Sequence, residues 1–317
     1  MNCVLEPPPV YFVHVPKTGG ISLGWFLESV FTRWQRLRMT PPNLAKLGIE
    51  KLPSFRCYHA CHQGRSMLEL TGRTDLACLT MVRDPVERSI SQILYLQRMV
   101  REIPHTYTRE YLEEVRPIID CDLGKCLDHQ AFTNACDSQI RTLGIREDYT
   151  PLFKGGPDVA SGRSVLRPYP LPQLMDGGNK SLLLENALAW LSEMQVVGLT
   201  EHYDESLEMM CAELGIRAPR TAPRLNANPA RSDARSAYRE ALSPRVVDQL
   251  NELTCHDRQL YERARELFQE QWSRHLSKQQ RIYSIGPRIR ATFLHPLRRV
   301  YSGLGNAIKR VRSGVSS

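Results

Sequence analysis

The stretch Val10-Tyr-Phe-Val-His-Val-Pro-Lys-Thr-Gly-Gly-Ile-Ser22 decides the fold. Its first six residues are β-branched or aromatic apart from His14 and are bounded by prolines, so they read as a buried strand. Pro16-Lys-Thr-Gly-Gly20 interrupts it, and residues 21–31 resume with apolar side chains at 21, 23, 25, 26, 27, 30 and 31, a helical spacing. The order is strand, glycine turn, helix. The same order recurs at 76–82 (strand), Arg83-Asp-Pro85 (turn, with proline at a helix start) and 86–99 (helix). Residues 55–59 make a weaker strand, and 194–199 another, followed by Thr200 as helix N-cap and a helix over 201–214. Strands alternating with helices predict an α/β fold with a central parallel sheet covered on both faces.

Working outward, one α/β domain is expected over residues 1–272. Within it, 145–180 is an irregular Pro- and Gly-rich excursion of the kind that shapes a substrate pocket, and 243–268 is a long amphipathic helix. Of 317 residues, 42 are Lys or Arg and 34 Asp or Glu, a formal charge of +8. Ten of the basic residues and no acidic one fall in 273–317, which leaves 32 against 34 in the body, or −2. A basic C-terminal tail of this kind suits peripheral contact with an anionic membrane or acidic polymer, and the nearly neutral body argues against nucleic acid as a partner. The hydrophobic fraction of 42% excludes a disordered chain. No apolar run approaches the roughly 18–20 residues of a membrane span. Nine cysteines are too few for a disulfide scaffold, and Met1-Asn-Cys-Val-Leu-Glu-Pro-Pro-Pro9 lacks the features of a secretory signal. The expected location is cytoplasmic, with membrane association through the tail.

The chemistry sits in the two turns. Adjacent glycines let backbone approach a ligand, the following helix presents amides and a positive dipole end, and Lys17 adds a full charge. The lysine precedes the glycines, unlike the Gly-x-x-x-x-Gly-Lys-Ser/Thr order of nucleotide triphosphatases. Arg83 stands at the end of its strand with Ser91 two helical turns on. In a doubly wound sheet the strand carboxyl ends share one crevice, so both turns can clamp one ligand with two anionic ends. The competing reading for Arg83 is an ion pair with Asp84 or Glu87.

The pairing of His14-Val-Pro-Lys-Thr-Gly-Gly-Ile-Ser22 with Val82-Arg-Asp-Pro-Val-Glu-Arg-Ser-Ile-Ser91 resembles the two cofactor motifs of the sulfotransferase family that includes the heparan sulfate 2-O- and uronyl 2-O-sulfotransferases. Asp137-Ser-Gln-Ile-Arg-Thr-Leu143, Val197-Gly-Leu-Thr-Glu-His-Tyr-Asp-Glu-Ser-Leu207, Arg224-Leu-Asn-Ala-Asn228 and Asp257-Arg-Gln-Leu-Tyr-Glu262 resemble further family segments in the same order. The likeness spans about residues 10–268. It implies a P-loop-NTPase-like three-layer fold and transfer of a sulfuryl group from 3′-phosphoadenosine 5′-phosphosulfate (PAPS), with adenosine 3′,5′-bisphosphate (PAP) as product and no metal. Lys17, Thr18, Gly19, Gly20, Ile21 and Ser22 would hold the 5′-phosphosulfate, Arg83 and Ser91 the 3′-phosphate, and Lys17 would also meet charge developing on the leaving oxygen. The acceptor would be a hydroxyl on a carbohydrate or glycosylated small molecule.

The family places its base in a Gly-His segment, which here is Arg56-Cys-Tyr-His-Ala-Cys-His-Gln-Gly64 with Tyr58 in place of the glycine. His59, directly after the strand, is the expected base, and His62 is its competitor. Cys57, His59, Cys61 and His62, with Cys121 and Cys126 as a second pair, form the alternative of a zinc site. Two other functions compete: a P-loop phosphotransferase, and a non-catalytic module docked through 273–317.

Overall fold

Four consecutive buried residues, Val10–Val13, form β1 at the centre of a five-stranded, all-parallel sheet. A strand flanked on both sides and covered on both faces has no solvent side, so it shows a continuous apolar run instead of alternation. The coordinates are a computed structural model that describes residues 6–102, 109–119, 123–127, 136–153, 179–223 and 242–289. The chain divides into two compact units, Met1–Gln269 and Glu270–Ser317.

In chain order the first unit contains β1, α1 (Gly20–Val30), β2 (Arg36–Arg38), α2 (Pro41–Ala45), β3 (Cys57–Cys61), α3 (Gly64–Leu70), β4 (Ala77–Val82) and α4 (Pro85–Glu102). There follow α5 (Arg109–Ile119), α6 (Leu123–Cys126), α7 (Ser138–Gly144), α8 (Lys180–Glu193), β5 (Val196–Leu199), α9 (Tyr203–Glu213) and α10 (Pro244–Leu253). The last helix, α11 (Cys255–Ile289), contains the boundary between the units. Strand order is β2-β3-β1-β4-β5. The chain leaves β1 toward one edge and returns through β3 beside it, then crosses to β4 on its other flank. The end of β1 is therefore the switch point of a P-loop-like three-layer α/β fold, where ligand crevices open.

Both faces of the sheet are closed by large side chains. Tyr11 lies between Tyr58 of β3 and Trp190 of α8, with ring centroids 6.1 and 6.4 Å away, and all three are buried. Phe12 and His14 stack on the opposite face, toward the start of α1. On the β5 side, a Cβ added at Gly198 would stand 2.9 Å from the Cβ of Ser206, so glycine is what lets α9 lie this close to the strand. A second apolar cluster joins Val86, Ile90, Ile93 and Val100 of α4 to Val115 and Ile119 of α5 and Leu250 of α10. The α4 positions follow helical spacing, which places them along one side of the helix.

Three local expectations change. β2 is additional: Arg36-Leu-Arg38 has one apolar residue between charges, and an edge strand three residues long carries no readable pattern. Thr200 is not an N-cap. It lies in a 3-10 turn, and its hydroxyl contacts the carbonyls of Thr18 and Val82 at 2.9 and 3.1 Å, stitching the ends of β4 and β5 to the turn after β1. The helix expected over 243–268 is two: Ser243 caps α10 by accepting from the Val246 amide, and Thr254 ends it before α11 begins. Of the excursion, residues 154–178 lie outside the described residues, as does Arg224-Leu-Asn-Ala-Asn228. In the second unit Trp272 stacks on His275 with centroids 5.3 Å apart, and 290–317 lie outside the described residues. Among the described residues no helix is long and apolar enough to cross a membrane.

Truncating the side chain that closes the Tyr11 face should be costly. Trp190→Ala is expected to lower unfolding free energy by about 3–5 kcal/mol, measured by urea denaturation. A loss below about 1 kcal/mol would show that α8 does not close the core as described.

Candidate functional site

Three parallel strands deliver their carboxyl ends to one place: β1 ends at Val13, β3 at Cys61 and β4 at Val82, with Val13 in register with Cys61 and Thr80. The turn after β1 is tightly determined. Lys17 and Gly19 have positive φ, 71° and 85°, and α1 starts at Gly20. A Cβ on Gly20 would fall 2.0 Å from the His14 ring, so the helix can begin here only because this residue is glycine. Thr18 is buried and its hydroxyl donates to the Val15 carbonyl at 2.8 Å, which folds the turn back on itself. Ser22 is buried in the first turn of α1, whereas the Ile21 side chain is 47% exposed and can serve a ligand only through its backbone.

Lys17 is held over the ring of Tyr95, with Nζ 3.8 Å from the centroid. Tyr95, Ser91 and Glu87 follow one another at i, i+4 spacing on α4 and share a face. Arg83 meets the other end of that face: it pairs with Glu87 at 3.3 Å, and its Nη1 lies 3.5 Å from the Lys17 carbonyl. The ion-pair reading of Arg83 is thus realised with Glu87. Lys17, Ser91 and Arg83 are nevertheless brought together along one stripe, with Ser91 buried one turn from each end.

The position of Arg83 rests on a residue to which the sequence reading gave no role. Gln139, fully buried at the start of α7, accepts from the Arg83 amide through Oε1 at 3.0 Å and donates from Nε2 to the Arg83 carbonyl at 2.9 Å. Asp257 in turn accepts from the backbone amides of Gln139 and Ile140 at 3.1 and 2.8 Å, with Arg88 Nε 3.9 Å away. Burial pushes the Asp257 carboxyl up, against Arg88 and the two amides. Asp84, next in sequence, donates its amide to Glu201 and caps α4 by accepting from the Glu87 amide. The DSQIRTL segment is therefore a strap that fixes the backbone at the end of β4. The only sequence signal for it was the order of the motif fragments.

Histidines line the other side. Between Tyr11 and Val13 the register of β1 on β3 slips by one residue, and Ala60 takes φ 55°, a bulge that re-aims the residues after it. His59 precedes the bulge. It is 2% exposed and directed at α1, with Nδ1 3.4 Å from a Cβ placed on Gly24 and Nε2 3.6 Å from Glu28. His62 follows the bulge, past the strand end and partly accessible. Its ring lies 4.6 Å from that of His14, and its Nδ1 is 2.5 Å from the His14 carbonyl. A carbonyl can only accept, so Nδ1 carries the proton and the lone pair is on Nε2. Burial, with Arg38 and Arg36 nearby, pushes the His59 imidazole down to about 4. Burial also takes His62 to about 4 against the raising effect of its bond to His14. His14 is pushed well down by burial and then by His62 and Lys17. All three rings are neutral at physiological pH, and the His59–Glu28 approach is a polar contact and not an ion pair.

For the zinc alternative, Cys57 and Cys61 are buried thiols that burial pushes upward, Cys57 beyond the ordinary range and Cys61 to about 11, and Cys61 bonds to the Tyr11 hydroxyl at 2.7 Å. Cys126 is disulfide-bonded and so offers no thiolate, while Cys121 lies outside the described residues. The bulge also turns His59 and Cys61 to different surroundings, α1 for one and Tyr11 for the other. No protein-family model matches the chain, and no curated protein matches it.

The histidine shifts have a pH consequence. A folded value near 4 against about 6.5 unfolded means that the unfolded chain binds more protons between these limits. Their stabilisation is complete above about pH 6.5 and is lost as pH falls toward 4. Asp257 works in the opposite sense, so the comparison is with a variant: the urea midpoint of wild type should drop more steeply from pH 7 to 4.5 than that of His59→Leu. Parallel profiles would refute the neutral, buried assignment of His59.

Proposed function

We propose that this chain is a sulfotransferase, moving a sulfuryl group from PAPS to a hydroxyl on a carbohydrate or glycosylated small molecule. The observation that carries the reading is the stripe that joins Lys17, at the turn before α1, to Ser91 on α4 and Arg83 at the end of β4, with a neutral histidine just past the adjacent end of β3. Apart from Glu87, the groups along it are cations, hydroxyls and helix N-terminal amides, a donor set fitted to an anion and not to a cation. Two separated cationic ends suit a ligand with two anionic ends. A planar guanidinium grips a terminal phosphate in two-point fashion, and a lysine serves as a compact charge.

On this reading the turn at Lys17–Ser22 receives the phosphosulfate end, with Thr18 shaping the turn and the backbone of Gly19, Gly20 and Ile21 approaching the ligand. Arg83 and Ser91 receive the 3′-phosphate. Lys17 offsets charge on the oxygen released as the S–O bond breaks, an effect worth about 10²–10³ in rate where single donors have been removed from such sites. The acceptor hydroxyl must give up its proton as it attacks, and a neutral imidazole is the fitting base. What supports His62 over His59 is its place beyond the strand end and its partial accessibility. His59, in mid-strand against Gly24 and Glu28, supports α1 beneath the turn.

Binding and turnover separate the parts. PAP at saturating concentration should raise the melting temperature of wild type through linkage. Arg83→Ala should weaken PAP binding about tenfold to hundredfold, and Lys17→Ala should lose binding and turnover together. His62→Asn should keep PAP affinity within about twofold and lose about 10²–10⁴ in kcat with labelled donor and a glycan acceptor panel. Absence of any PAP-induced shift would end the sulfotransferase reading. Full activity in His62→Asn with loss in His59→Asn would move the base back into the strand.

A further inference from the structure

Outside the residues assigned to the reaction, three different metal-ligating groups converge where α11 begins beside the start of α7. Asp137 Oδ2 lies 3.2 Å from His256 Nδ1, and Cys255 Sγ lies 3.3 Å from that same nitrogen. All three donor atoms fall within 4.8 Å of one another. We propose that Asp137, Cys255 and His256 form a binding site for a borderline divalent cation of the zinc class.

The geometry separates this from a catalytic relay. In a Cys-His-Asp relay the imidazole would use one nitrogen for the thiol and the other for the carboxylate, because it must pass a proton between them. Here thiol and carboxylate approach the same nitrogen, which is how donors arrange themselves around a shared centre. The two separations from Nδ1, 3.2 and 3.3 Å, are close to what such an ion requires: tetrahedral ligands at zinc–sulfur, zinc–nitrogen and zinc–oxygen distances of about 2.0–2.3 Å stand about 3.3–3.6 Å apart. A mixed set of thiolate, imidazole and carboxylate selects zinc-like ions over magnesium or calcium, which prefer all-oxygen shells.

Two further observations bear on it. The carboxylate is pre-aimed, since Asp137 Oδ1 accepts from the Asp257 amide at 2.9 Å and Asp137 itself is held at φ 51°, a conformation that a non-glycine residue adopts only when its surroundings impose it. Oδ2 already receives a cation: the Lys180 ammonium sits on it at 3.0 Å. Lys180 is 38% exposed at the start of α8, on a flexible stem that can swing outward, so it marks a cation position that a metal would contest. With three protein ligands, the fourth position of a tetrahedral ion would be left to water.

Cobalt(II) is the probe, because a thiolate ligand gives it a near-ultraviolet charge-transfer band. The full chain should take up one equivalent with that band, and zinc should displace it. Cys255→Ser should abolish the band, and His256→Ala should weaken cobalt binding at least tenfold. Both residues are at least partly accessible, so folding should persist, as checked by circular dichroism. Lys180→Met should tighten binding severalfold by removing the competing ammonium. A band that survives in Cys255→Ser, no thiolate band in wild type, or weaker binding in Lys180→Met would each overturn the site. PAP binding plays no part in this readout, so failure here leaves the sulfuryl-transfer reading untouched, and the converse holds.

Discussion

The approach of Gly20 to the His14 imidazole is the constraint on which the rest of the site depends. With no room for a Cβ at residue 20, α1 starts against the end of β1, and the chain between them must turn within Lys17, Thr18 and Gly19. That turn places Lys17 and Gly19 in the left-handed region, which is inexpensive for glycine and unfavourable by about 1 kcal/mol or more for lysine. The Lys17–Tyr95 stacking and the Thr18 bond to Val15 hold the conformation. The direction of α1 then decides what His59 touches, and the position of His14 decides where His62 can rest. A change at residue 20 would reach every one of these groups.

Residues remote in sequence hold the end of β4 in the same way. The backbone at Arg83 is fixed by the Gln139 side chain, Gln139 by Asp257, and Asp257 is placed by the start of α11, where its own amide bonds to Asp137. Each link is a bond to backbone, which sets position without consuming the side chain that would meet a ligand. Thr200 does the same for the far side by tying the ends of β4 and β5 to the turn after β1. The cationic side chains are thus carried on a frame made of other residues.

This division explains what could be read from the sequence. The strands at 10–13, 77–82 and 196–199 and the helices after them were legible because buried parallel strands are continuous apolar runs and their turns carry Gly or Pro. The proximity of Lys17 and Arg83 followed from the general rule that the strand carboxyl ends of a doubly wound parallel sheet open on one side. Three things were not legible. β2 is too short and too charged to show a pattern, and the bulge at Ala60 is set by pairing between strands, so no local signal separates His59 from His62. Gln139 works through a contact across 56 residues, which composition and periodicity do not record. Even Thr200 followed its local rule, a polar residue before a helix, until a carbonyl of the turn after β1 and another at the end of β4 claimed its hydroxyl.

The neutral histidines have a consequence for a base at His62. An imidazole pushed down to about 4 is a weak base at neutral pH, well below the value near the working pH at which general catalysis is most effective. Burial causes the depression, and Lys17 contributes to the same effect at His14, against which His62 packs. A ligand bearing several negative charges beside Lys17 would reverse the local field, since an anion nearby favours the protonated imidazole. If that anion is the proposed donor, filling its site would raise the proton affinity of His62 toward neutrality. On the proposed reading, the burial that keeps the ring uncharged before a ligand arrives would also make its basicity depend on that ligand, so that proton removal from an acceptor would be favoured only once the donor is bound.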